Sequence, residues 1–396
     1  MEPVAITGLG VLCCLGSGTD VFWRGLATAR PAPAPVGDPH ARMPLPICYA
    51  VPDGAVPDRP DHLGGLPLGR ASRMAVAAAR QALADARLTG MAGAPYAIVV
   101  GTGMGDSGLH EQHRCDSPPD GKELGPVFVV GSALGDALGW TGPCISVSNA
   151  CSAGGFALTV AADLIRAGEA DVALAGGADA YSRVALACFN RLGAIDPLRC
   201  RPFDARRRGT VFAEGAAMLV LESALHAERR GALPPTAWLL GDGWSCDAHH
   251  PTAPEPQGQQ IRRAMRAAIE GSGSDADAIG CVIPHGTGTA LNDVVESRAL
   301  HAVIGPRCAR LPLYSLKALV GHTGGAAGAL AAVTGALIAR RRAVPPNAPL
   351  DEPDPDCPVW LPDGGPTPLT GRHVLVNAYA FGGNNVSFVL AGGDPR

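Results

Sequence analysis

The sequence predicts an α/β protein in which one strand–helix–strand unit is used twice. Three observations carry this: apolar strand-like runs that end in glycines, two helices built almost wholly from small residues, and a composition suited to a large core. Hydrophobic residues make up 47% of the 396 and charged residues only 17%, which favours a compact fold over a disordered chain. A chain of this length accommodates two or three domains, or one large fold made from two similar halves.

The elements follow in order. "VAITGLGV" at the start reads as a buried strand running into a glycine turn. Residues 31–67 hold ten prolines and little periodicity, so an ordered but irregular surface excursion is expected there. "RASRMAVAAARQALADARL" (70–88) has the spacing of an amphipathic helix, and "YAIVVGTGMG" (96–105) that of a strand ending in glycines. Then "CISVSNA" reads as a strand, "CSAGGFALTVAADLIRAGEA" as a helix and "DVALAGGADA" as a second strand. The layout returns further on, with "LPLYSLKAL" as strand, "GHTGGAAGALAAVTGALIARRRA" as helix and "HVLVNAYAFGG" as strand. Helices this small on every face suit a position buried between packed sheets. The expected halves are residues 1–228 and 229–396.

Composition also narrows the function. A net charge of −4, without interleaved basic and aromatic residues, argues against nucleic-acid binding. Thr323 to Ala339 is uncharged but short for a membrane span and rich in Gly and Ala, so a buried helix is expected rather than membrane insertion. The twelve cysteines include no Cys-x-x-Cys pair and no zinc spacing, and "MEPVAITGLGVL" lacks a basic segment ahead of an apolar one. Reduced thiols in the cytoplasm and no metal are the expectation. Arg206–Arg208 and Arg340–Arg342 are basic runs of the kind that meet phosphates or acidic partners, or simply stay solvated. Cys13-Cys14 is expected to pack beside the first strand, and His249-His250 to lie exposed.

Four short stretches carry candidate chemistry. In "SNACSAGG" (148–155), Cys151 follows a strand and opens a helix. A thiol there feels the positive end of the helix dipole, which lowers its pKa, and free N–H groups nearby can receive an oxyanion. "PHGTGTALNDVVE" (284–296) places His285 before a Gly-Thr loop that lacks the spacing of a phosphate or dinucleotide motif. In "SLKALVGHTGGAAG" (315–328), Lys317 is one of only two lysines, the other being Lys122, and His322 stands at the entry to the small-residue helix. A buried lysine needs an acidic partner, which Glu296 or Asp293 can supply. "NAYAFGGNN" (377–385) offers Phe381 and two glycines as a mobile lid.

Taken together, in this order and spacing, these motifs resemble the β-ketoacyl synthases, condensing enzymes of the thiolase fold. The likeness extends from "VAITGLGVLCCLGSGTDVFWRGLATAR" through "RPFDARRRGTVFAEGAAMLVLE" to "NAYAFGGNNVSFVL". It implies a five-layer αβαβα fold of two related halves, and a dimer, either of identical chains or with a chain-length subunit. It implies no metal and no redox cofactor. By the resemblance, Cys151 is the acyl-accepting nucleophile, and His285 and His322 hold a malonyl thioester carbonyl. Lys317 orients that site with Glu296 as partner, and Phe381 is the gate whose N–H completes an oxyanion hole with that of Cys151. Met104 falls at an acyl-pocket position, while Thr287, Thr289, Gly382 and Gly383 fall where substrate is bound. The implied partner is an acyl carrier protein bearing phosphopantetheine thioesters.

Some positions depart from the pattern. Ala380 precedes Phe381 where Gly is usual, and Arg208, Thr210 and Ala213 stand where Asp, Phe and Gly are common. A Cβ at residue 380 is expected to stiffen the gate. "HGTGT" and "FNRLGAIDPLRCRPFD" lean towards polyketide synthases. Two chemistries share these residues: decarboxylative condensation, and cyclisation or acyl transfer without malonyl decarboxylation. A scaffold subunit is the third reading, disfavoured by the intact Cys-His-His-Lys set.

Overall fold

The computed structural model describes residues 1–58, 61–88, 96–116 and 124–393, so Lys122 lies outside the described residues. The elements that carry the fold are, in chain order, β1 (Val4–Cys13), α1 (Arg70–Asp85), β2 (Tyr96–Gly101), β3 (Cys144–Val147), α2 (Ala153–Arg166), β4 (Val172–Asp179), β5 (Gly215–Glu222), β6 (Ala237–Cys246), α3 (Gln259–Gly271), β7 (Ile279–Ile283), α4 (Asn292–Ile304), α5 (Ala327–Arg341), β8 (His373–Tyr379) and β9 (Asn384–Ala391). The described part of the proline-rich excursion holds only two-residue strand pairs and one 3-10 turn. One expectation is corrected: "LPLYSLKAL" is not a regular strand. Pro312 and Leu313 make isolated bridges, and Lys317 opens a short helical turn, Lys317–Val320.

The strands form one continuous sheet in the order β7-β8-β9-β6-β1-β5-β4-β2-β3. On the first side, β3, β2 and β4 are parallel while β5 and β1 alternate in direction. The second side repeats this. Leu313 bridges β7 in parallel, β7 runs parallel to β8, and β9 and β6 alternate. β1 and β6 join the two sides through antiparallel pairs at Val4–Leu239, Ala5–Trp238 and Ile6–Ala237.

Alternation along the strands builds three main apolar clusters, the central one surrounding the two small-residue helices. Ile6, Leu9 and Val11 of β1 face a central core shared with α2 and α5, while Leu12 turns to the layer under α1. A third cluster lies under α3 and α4, around Met265, Leu300 and Val389. This is the thiolase-like αβαβα arrangement, with the two small-residue helices in the middle.

The smallness of α2 and α5 has a direct cause. Each follows a 3-10 turn (Ala150–Ser152 and Gly324–Ala326), and the helices cross with backbones touching. A Cβ on Gly154 would meet the Gly325 carbonyl oxygen at 2.7 Å, and one on Gly328 would meet the Gly155 nitrogen at 2.5 Å. Backbone cannot yield as a flexible side-chain end can. Gly328→Val should therefore lower unfolding stability by about 2 kcal/mol or more, in the range of overpacked cores. A denaturant midpoint equal to that of the parent chain would contradict this packing account.

Candidate active site

The first structural component is a loop frame made by buried carboxylates. α4 carries Asp293 and Glu296 one turn apart, so both face the loop that leaves β7. Glu296 accepts the N–H groups of His285 (2.7 Å) and Gly286 (2.8 Å) and the Asn377 amide (3.2 Å). Asp293 accepts those of Thr287 (3.0 Å), Gly288 and Phe203 (2.8 Å). Asp179, at the end of β4, accepts the Thr102 hydroxyl (2.7 Å) and the N–H groups of Gly103, Met104, Gly105 and Gly325. Sequence reading missed Asp179 altogether. Its only signal is an acidic residue ending an apolar strand, in "GGADA".

On this frame a cavity of about 330 Å³ opens. Its lining includes Cys151, His285, His322, Thr287, Thr289, Phe381 and Gly382, gathered from both sides of the sheet. The imidazoles of His285 and His322 stand edge to face, ring centres 5.8 Å apart. Phe381 stacks on Phe189 at 5.3 Å, and Phe212 stacks on His322 at 6.2 Å. Thr287 and Thr289 hydroxyls share a hydrogen bond of 2.8 Å. Lys317 lies behind His285, buried, donating to the His285 carbonyl and standing 3.4 Å from its Nδ1. An ammonium only donates, so His285 Nδ1 accepts from it in the tautomer whose ring proton is on Nε2.

Three expectations are corrected by this geometry. Glu296 makes no direct ion pair with Lys317 among the described residues; it binds the loop backbone and acts on the ammonium through space. Met104 does not line the cavity of Cys151. It packs against the apolar cluster of Cys48, Leu186 and Phe212 and faces a separate cavity of about 180 Å³. Gly383 is also outside the lining, pressed on Asp247, where a Cβ would meet the Asp247 Cβ at 2.7 Å. Ala380 is extended at φ −144°, a conformation that tolerates a Cβ, and the positive φ falls on Gly382 (83°) and Gly383 (76°).

The electrostatics also depart from expectation. Burial pushes the Cys151 thiol up to about 11, outweighing Lys317 and the N–H groups of Phe381 and Cys151 itself, which favour the thiolate. The lowering expected from the helix terminus does not prevail. His285 and His322 are held well below the usual histidine range by burial and by Lys317, so both are neutral near pH 7. Burial likewise lowers Lys317, while Glu296 counteracts it. His322 Nδ1 is buried and has no hydrogen-bond partner among the described residues. Ala150, preceding the thiol, has φ 46°, a left-handed conformation that costs on the order of 1–3 kcal/mol outside glycine.

A thiol beside two neutral imidazoles in one cavity has the means to take up an acyl group and to hydrogen-bond a carbonyl oxygen. The fold is that of the thiolase-like condensing enzymes. The family model for the β-ketoacyl synthase N-terminal domain matches residues 1–227, and that for the C-terminal domain residues 236–351. The chain is 36% identical to nodulation protein E of Rhizobium meliloti strain 1021, covering 96% of this chain and 97% of that one. It is 33% identical to the oxytetracycline polyketide putative β-ketoacyl synthase 1 of Streptomyces rimosus, covering 98% and 96%. Among solved structures, the ishigamide ketosynthase/chain length factor superposes with a TM-score of 0.89 at 35% identity, covering 99% and 100%. The chain belongs to the β-ketoacyl synthase family and is an acyltransferase-type condensing enzyme.

The raised thiol pKa has a measurable consequence. Alkylation of Cys151 by iodoacetamide should climb about tenfold per pH unit from 7 to 10, without an inflection near 6.5. Removing the cation in Lys317→Met should move the profile to higher pH. A plateau reached below pH 8 would contradict this electrostatic account.

Proposed function

We propose that the chain takes an acyl group from an acyl carrier protein onto Cys151 and condenses it with a malonyl unit delivered on a carrier. The observation that carries this is one cavity lined by a thiol, two neutral imidazoles and the gate phenylalanine. Acyl loading breaks the carrier thioester and forms one at Cys151, and the thiol proton leaves with the carrier thiol. Loss of CO₂ from malonyl-carrier leaves its electron pair as an enolate, whose oxygen accepts hydrogen bonds from the two imidazoles. The enolate carbon attacks acyl-Cys151. The N–H groups of Cys151 and Phe381 hold the oxyanion, and the sulfur departs and is reprotonated. Lys317 fixes the His285 tautomer, Glu296 fixes its loop, and Thr287, Thr289 and Gly382 line the path of the arm. Met104, in its separate cavity, limits the room available to longer acyl chains only indirectly, through the cluster that includes Phe212.

Several observations support a natural-product setting. Relatives include a polyketide β-ketoacyl synthase, and similar structures include a ketosynthase with its chain length factor and a polyketide acyl-carrier protein in complex with its ketosynthase. The halves 1–228 and 229–396 are read as one duplicated unit, on the repeated strand order. β3 ends the sheet with Cys144 and Ser146 exposed, which favours pairing with a second chain, identical or a chain-length subunit. A cytoplasmic location fits twelve free cysteines. Among the described residues no helix is long and apolar enough to cross a membrane.

The test combines mass spectrometry with CO₂ release. Acyl-carrier should load the parent chain at Cys151 and leave Cys151→Ala unmodified. His285→Ala and His322→Ala should still load, yet release CO₂ from malonyl-carrier at least about 100-fold more slowly. Loading without CO₂ release by the parent chain would overturn condensation in favour of cyclisation or transfer.

A further inference from the structure

The mouth of the Cys151 cavity carries one charge with nothing to do in the protein itself. Around it the arginines are engaged. Arg206 pairs with Glu352 (3.0 Å), Arg207 with Asp354, Arg199 with Asp351 (2.6 Å) and Arg201 with Asp196 (2.8 Å). Arg208 lines the cavity and is exposed, and among the described residues its guanidinium has neither an ion pair nor a hydrogen bond. It is also the only arginine or lysine among the described lining residues.

Its backbone, by contrast, is held firmly. The Arg208 N–H donates to Asp196 (3.1 Å), and the next residue donates to the Gly288 carbonyl (3.0 Å). Gly288 belongs to the loop whose Thr287 and Thr289 line the same cavity. The cation is thus anchored beside the wall that runs inward to the thiol. Other charged side chains of the wall are committed elsewhere: Asp247 accepts the Asn385 amide (2.7 Å) and the Glu255 N–H (3.0 Å).

We propose that Arg208 binds the phosphodiester of the carrier's phosphopantetheine arm and so sets how the thioester is presented to Cys151. This rests on the reading given under Proposed function. The arm reaches inward with amides and a thioester, and its one permanent charge is at the outer end. That charge is costly to bury in an apolar channel, so it stops at the mouth, where Arg208 stands. A planar guanidinium matches a phosphate with two parallel hydrogen bonds, which a lysine does not reproduce. Carboxylates on an acidic carrier surface are the other anions that could meet Arg208, and a substrate without protein separates the two.

The experiment compares acylation of Cys151 by acyl-phosphopantetheine, which ends in a phosphate, with that by acyl-pantetheine, which does not. The parent chain should prefer the phosphorylated donor about tenfold in kcat/KM, more at low salt and less at high salt. Arg208→Ala should bring the ratio to about one, Arg208→Asp should invert it, and Arg206→Ala should leave it as in the parent. A ratio unchanged in Arg208→Ala, an equal fall for both donors, or the same collapse in Arg206→Ala would overturn the assignment. Acylation by neither donor in the parent chain would remove the acyl-transfer reading itself, an outcome distinct from acylation without preference.

Discussion

The site depends on one buried carboxylate. Asp179 gathers N–H groups from the loop after β2 and from Gly325 at the start of the small-residue helix of the other side. Those two backbones and the turn bearing Cys151 meet at glycines, where no side chain could act as spacer. The carboxylate therefore fixes the relative position of the thiol's floor and the segment that follows His322. Burial raises its pKa, and its N–H and O–H donors pull the other way, so the hydrogen bonds are what make an ionised form tenable in that position.

Asp293 and Glu296 do the same on the second side, each accepting backbone N–H groups; Asp293 also stands 3.7 Å from the Arg207 guanidinium, whereas Glu296 pairs directly with no cation among the described residues. This explains how a buried lysine coexists with a carboxylate it does not touch. Lys317 needs nearby negative charge for its ammonium, and it also needs its protons free for His285. Two of the ammonium's three protons serve the His285 carbonyl and ring, and Glu296 acts on it through space. Held at a distance, the carboxylate supplies the field while the imidazole keeps its partner.

Much of this was legible in the sequence. Periodicity located the central strands and both small-residue helices, and the order of motifs brought Cys151, His285, His322 and Phe381 to one cavity. What was not legible has a common physical origin. The bonds from Asp179 and from Asp293 to Phe203 are side chain to backbone over long sequence separations, and such bonds leave no repeat in the chain. No spacing in the chain records that Met104 packs against the cluster of Leu186 and Phe212 and stays out of the lining of the Cys151 cavity. The thiol's acidity was misjudged for a related reason: a helix terminus is visible in sequence, whereas the enclosure that outweighs it is made by residues from both sides of the sheet. Lys317 was read as a strand end, and became a helical turn once its strand shrank to the bridges at Pro312 and Leu313.

The backbone-to-backbone crossing of α2 and α5 limits how the enzyme could be re-tailored. Chambers for bulkier substrates are commonly carved by trimming side chains, but beneath Cys151 there is almost nothing left to trim. Any widening must come from the walls, at positions such as Phe189, Leu192 or Thr210, or from the threshold. The pedestal under the sulfur is fixed, and variety in what this scaffold accepts has to be written around its perimeter.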